Sequence, residues 1–172
     1  FFGTILLAFV LGVLLQKIII QPVQHAPVLS VVVVFIGLLL IFNSLAGWIF
    51  TYTIKSFPSP FPKEAPFGIK FMSAHELGSI GVTLVLLMLL FAFFRYTPLG
   101  LAMRAAAQNP VSSRLVGIRV GWMLALGWGL AAAIGSTAGM MIAPVVFLEP
   151  NMMSGILLYA FAAALMGGID SP

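Results

Sequence analysis

The sequence predicts an all-α, polytopic membrane protein, and three observations carry that prediction. Of 172 residues, 62% are hydrophobic and 7% charged, with a mean hydropathy of +1.17, against roughly 45–50% apolar and about 25% charged in soluble domains. Five stretches are apolar and long enough, or nearly so, for a hydrocarbon core that takes about 20 helical residues to cross. None of them alternates in polarity as a barrel strand does, so strand content is expected to be negligible. The same composition excludes intrinsic disorder, and the absence of cysteine excludes a disulfide scaffold and a Cys-ligated metal site.

The first stretch runs from Phe1 to about Ile20, its last turn carrying Gln16 and Lys17. No basic segment precedes it, so it does not read as a signal peptide. Beginning at Phe1 and ending at Pro172 just after a glycine pair, the chain reads as a fragment of a longer membrane protein. The second stretch is Val28 to Phe50, broken by Ser30, Asn43 and Ser44. The third is Leu77 to Phe94, the fourth Val120 to Ala143 and the fifth about Met152 to Ile169. Residues 1–172 are taken as one transmembrane domain.

The connecting segments set the orientation. Residues 16–27 and 95–119 hold Lys17, Arg95, Arg104, Arg114 and Arg119 and no acid, whereas the opposite segments set Lys55, Lys63 and Lys70 beside Glu64, Glu76 and Glu149. Positive charge accumulates on the cytoplasmic side, so 95–119 is placed there, with 51–75 and residue 1 outside and Pro172 inside. Pro58, Pro60, Pro62 and Pro66 make the outer segment extended or irregular. It closes on Ser73-Ala74-His75-Glu76, a Ser-x-x-Glu capping box that gives Glu76 a structural role at a helix start. His75, at the same rim, is expected to be solvated.

Segment 95–119 is the most informative. Arg95 to Gly100 ends the third span, and Leu101 to Gln108, with Arg104 and Ala105, is a short alanine-rich helix. Asn109 then supplies an N-cap, Pro110 a first helical residue and Gly117 a C-terminal stop, so 110–116 reads as a two-turn helix carrying Arg114. A mere tether whose arginines meet lipid phosphates needs no such construction. Two small capped helices between spans point to a docking surface for another protein.

Within the spans, Gly127, Ala131, Gly135, Gly139 and Ala143 recur every fourth residue and form a small-residue stripe, repeated by Ala160, Ala164 and Gly168. Such stripes let helices pack closely, or slide past one another. Asn43 is the most polar side chain deep in a span, suited equally to an interhelical hydrogen bond and to substrate contact. Ser136 and Thr137 are expected to bond back to their own helix, and Asp170 to cap a following helix.

Arg95-Tyr96-Thr97-Pro98-Leu99-Gly100, Ala102-Met103-Arg104-Ala105 and Leu115-Val116-Gly117-Ile118 resemble the LivH-type permeases of bacterial branched-chain amino acid ABC importers. So do Ser56-Phe57-Pro58-Ser59-Pro60 and Gly167-Gly168-Ile169-Asp170-Ser171-Pro172. The resemblance spans nearly all of the chain but lacks the family's N-terminal and final spans, and Gln21 stands where that family usually has Arg. It implies that 95–119 contains a coupling helix, with Gly100, Arg104, Ala105, Asn109, Pro110, Arg114 and Gly117 forming the part that docks on a cytoplasmic ATPase. It further implies a LivM-type second permease subunit and an extracytoplasmic substrate-binding protein. No Gly-x-x-x-x-Gly-Lys-Ser/Thr run occurs, so ATP and Mg would sit on the partner ATPase and the chain itself is not expected to be an enzyme.

A transported apolar amino acid needs polar groups for its zwitterion, and broken helices provide them. Asn43, Gly167 and Gly168 are therefore the candidate pathway residues. The expected function is inward movement of branched-chain amino acids or related amides by alternating access, in the inner membrane. A sugar or urea permease of the same superfamily is the alternative. An intramembrane enzyme would need paired ionisable groups at depth, yet His25, His75, Glu76 and Asp170 all lie at span ends.

Overall fold

The structure is a computed structural model and describes residues 1–24, 26–61 and 73–168. Within these every regular element is a helix, and the one extended pairing is an isolated bridge between Lys55 and Leu148. Helix α1 (Phe2–Leu15) runs on through a π-helical turn (Gln16–Ile20) into α2 (Gln21–Val23). There follow α3 (Val28–Phe50), α4 (Ala74–Tyr96), α5 (Pro98–Gln108), α6 (Pro110–Leu115), α7 (Val120–Val146) and α8 (Ser154–Gly167).

Four spans, Phe2–Val23, Leu29–Phe50, Ala74–Tyr96 and Val120–Val146, are 22 to 27 residues long. At 1.5 Å per residue they reach about 33–40 Å, past the roughly 30 Å of hydrocarbon. Large apolar side chains such as Leu29, Trp48 and Met88 stand exposed on them, as a lipid solvent requires. The chain is thus an all-α polytopic membrane protein. The expected fifth span is shorter: α8 has 14 residues, about 21 Å, because the chain turns through Asn151–Met153 before it starts and Gly168 ends it at φ 90°. Ile169 to Pro172, including Asp170, lie outside the described residues, as do His25 and 62–72 with Pro62, Lys63, Glu64, Pro66 and Lys70.

The chain forms two compact units. The first comprises Phe1–Val13 and Pro58–Met141. In it α1 crosses closely against α7. A Cβ on Gly12 would lie 2.6 Å from the Trp128 carbonyl oxygen and 3.0 Å from the Gly129 Cα, and one on Gly129 would lie 2.8 Å from Val13. Only hydrogens fit there, and Ala125, one turn earlier on the same face of α7, is fully buried. The small-residue stripe of the sequence lies elsewhere on α7. Ala131 and Gly135 are exposed, Gly135 with open space around it, Gly127 meets the flexible end of Met103, Gly139 is half-buried and Ala143 is buried at 1% exposure. Ser136 and Thr137 both donate to the Ala133 carbonyl, bonding back to their own helix as expected.

Helix α4 opens with the capping box in full, the Ser73 hydroxyl accepting from the Glu76 N–H and the Glu76 carboxylate from the Ser73 N–H. This lengthens the helix by a turn over the apolar stretch that announced it. Pro144 lies inside α7, which continues one residue-pair further to Val146, so the proline interrupts the hydrogen bonding of the last turn without ending the helix.

The second unit comprises Leu14–Phe57 and Ile142–Pro172. Here α3 and α7 end on residues with positive φ that are not glycine, Thr51 at 65° and Phe147 at 67°. Just beyond them the Lys55 and Leu148 backbones exchange hydrogen bonds of 3.1 and 2.8 Å. Tyr52 folds back over Gly47, where a Cβ would run into the phenol ring.

Candidate functional site

The segment between α4 and α7 is built by one device used twice. Thr97 is both the C-cap of α4 and the N-cap of α5: its hydroxyl donates to the Phe93 carbonyl at 2.6 Å and accepts from the Gly100 N–H at 3.0 Å. Asn109 does the same between α5 and α6, its N–H donating to Ala105 O and its Oδ1 accepting from the Ser112 N–H at 3.0 Å. Each is followed by a proline, which confines the capping residue to extended backbone and starts the next helix without needing an N–H. Helix α5 therefore begins at Pro98 rather than at Leu101, a turn hidden in the sequence because 95–100 reads as the tail of a span.

Gly100 is buried where α5 presses on α4. A Cβ there would collide with the Phe93 carbonyl oxygen and lie 2.7 Å from the Phe94 Cα, so the corner closes only over glycine. Met103 and Ala106 bury the same face of α5. Beyond α6 the chain makes a Schellman turn, Ile118 N–H bonding to Ser113 O and Gly117 N–H to Arg114 O, with Gly117 at φ 84°. The predicted C-terminal stop at Gly117 is thus present in its full geometry.

What this block presents outward is apolar. Val111, Leu115 and Val116 are 71%, 85% and 76% exposed, beside the exposed Arg114. Arg104 is half-buried on α5, and its Nε is buried with no hydrogen-bond partner among the described residues. Ala105 is half-buried beside it. Arg95, at the end of α4, lies over the Phe91 ring at 5.9 Å.

The pathway candidates are in the second unit. Asn43 on α3 donates through Nδ2 to the Asn151 side-chain oxygen, tying α3 to the turn before α8, while its own Oδ1 is buried without a partner among the described residues. Gly167 ends α8 in open space and Gly168 turns the chain out of it.

Two features escaped the sequence reading. His75 is not solvated: its Nδ1 lies 2.9 Å from the Ser59 hydroxyl, its Nε2 lies 2.7 Å from the Met141 carbonyl, and the Phe61 ring packs against it at 5.9 Å. Its sequence gives no signal of this, because both partners are distant along the chain. The other is Gln16, 1% exposed in the π-helical turn of the first span, with Oε1 unpartnered among the described residues. A polar Gln-Lys step inside an apolar run was the only trace of it.

Several long apolar helices, a compact capped loop between two of them and isolated polar groups at depth define a polytopic membrane protein. The match to known proteins makes that specific. The model of the family described as "Branched-chain amino acid transport system / permease component" matches residues 1–172, and the chain belongs to that family. Among curated relatives it is 25% identical, over 99% of its length, to the high-affinity branched-chain amino acid transport system permease protein LivH of Salmonella typhimurium, and equally to LivH of Escherichia coli strain K12. In both cases it spans 58% of the relative's length. A probable LivH of Methanocaldococcus jannaschii is 29% identical over 59% of the chain and 30% of that protein. No solved structure matches.

Proposed function

We propose that this chain is the core of a permease subunit of a bacterial ABC importer, carrying branched-chain amino acids or related amides inward by alternating access. Energy comes from ATP and Mg held on a partner ATPase. A LivM-type second permease subunit and an extracytoplasmic binding protein complete the assembly in the inner membrane, with 95–119 facing the cytoplasm. The observation that carries this reading is the α5–α6 block. Its corners have no slack, because each capping residue ends one helix and begins the next. A force applied to Val111, Leu115 and Val116 is therefore delivered to α4 and not lost in a flexible loop. An apolar knob beside arginines suits a hydrophobic groove with an acidic rim, where charge complementarity sets orientation.

The test uses the assembled transporter. Gly117→Val opposes the left-handed backbone of the stop, and Leu115→Asp places a charge on the docking face. Both variants should insert into the membrane, because the spans are untouched. Both should lose uptake of leucine by about tenfold or more, together with substrate-stimulated ATP hydrolysis. Wild-type uptake in both would reduce the block to a tether.

A further inference from the structure

We propose that the π-helical turn Gln16–Ile20 is a substrate-contact point, at which the Gln16 side-chain oxygen accepts a hydrogen bond from the α-ammonium group of the amino acid in transit. The inference rests on the reading of the chain as an amino-acid permease and assigns one residue of its pathway. It begins with a backbone irregularity: the Gln21 N–H reaches back five residues to Gln16 O, a bonding pattern found mostly as single turns and often at functional sites. The second observation is independent of the first. Gln16 is the largest fully buried side chain of the described residues, yet its Oε1 has no hydrogen-bond partner among them.

The position is seven residues from the Val23 end of the span, about 10 Å into it, where lipid supplies no donors. An amide oxygen only accepts, so its missing partner is an N–H or O–H group and not a carboxylate. A metal ion would demand several oxygens around it. A substrate ammonium carries three donors, each able to meet an isolated acceptor. Access follows from the irregularity itself. Letting the turn relax to α geometry removes a one-residue surplus and turns one flank of the span by about 100° against the other; with the Gln21 flank held, this carries Gln16 from packed to presented.

The experiment uses the complete transporter in lipid nanodiscs, with Gln16→Cys added to a background in which every other accessible thiol is replaced; residues 1–172 contain none. A small methanethiosulfonate should label the introduced thiol in at least one nucleotide state. Millimolar leucine or isoamylamine, which both carry the ammonium, should slow labelling about fivefold or more, whereas 4-methylpentanoate, which lacks it, should not. In parallel, Gln16→Leu should keep or raise thermal stability, since an unpaired buried amide is removed, while leucine uptake falls at least about tenfold. Several outcomes overturn the inference: a thiol unreactive in every state, labelling indifferent to ligand, protection by 4-methylpentanoate alone, or Gln16→Leu transporting at the wild-type rate. Failure of the wild-type transporter to carry leucine would instead overturn the underlying permease reading.

Discussion

Helices end in two different ways in this molecule. Between α4 and α6 each end is finished by the residues beside it: Thr97 and Asn109 cap in both directions, and Gly117 takes the left-handed turn that its type allows at no steric cost. Between α3 and α8 the ends are finished from afar. Thr51 and Phe147 are held at positive φ, an arrangement that persists only when the surroundings enforce it. The enforcing contacts are the Lys55–Leu148 bridge and the Asn43–Asn151 hydrogen bond. The first region is held by its own local bonds. The second is shaped by partners roughly a hundred residues away, so its geometry depends on helices keeping their places.

Three substitutions probe that contrast. Gly100→Ala drives a methyl into the Phe93 carbonyl, a backbone atom that cannot yield without opening the α4–α5 corner. A loss of about 3 kcal/mol is expected, read as a fall in the unfolding midpoint in detergent. An unchanged midpoint would show that the corner has slack. Asn109→Ala removes one side-chain cap and should cost about 1 kcal/mol, visible as faster amide exchange across α6 alone. If exchange rises equally in α7, the block is not self-contained. Thr51→Gly should act in the opposite sense. It relieves a backbone conformation suited to glycine at the expense of glycine's greater unfolded-state freedom, for a net gain of about 0.5 kcal/mol. Destabilisation by Thr51→Gly would mean that its hydroxyl bonds to Phe50 O and Thr53 outweigh the strain.

The same contrast explains what could be read in the sequence. Ser73-x-x-Glu76 and Asn109-Pro110 to Gly117 were legible because donor and acceptor lie three to five residues apart, within the reach of capping rules. The four long spans were legible from apolar length, which lipid enforces whatever the packing. Residues whose partners are remote were not. Asn43 is 108 residues from Asn151 and His75 is 66 from Met141, and no spacing rule covers such pairs. The glycine stripe on α7 has the right period, but period fixes only which residues share a face, not which face meets a neighbour. The crossing with α1 falls on Gly12 and Gly129, while the stripe is buried at Ala143.

The setting of His75 has one further consequence. The Met141 carbonyl can only accept, so the ring nitrogen facing it is a donor. On the other side the Ser59 hydroxyl meets Nδ1 while receiving the Phe61 N–H. The bonds from Ser59 through α4 to α7 thus tie the segment before α4 to α7 by way of one ring, a fastening made by a side chain and not by the backbone.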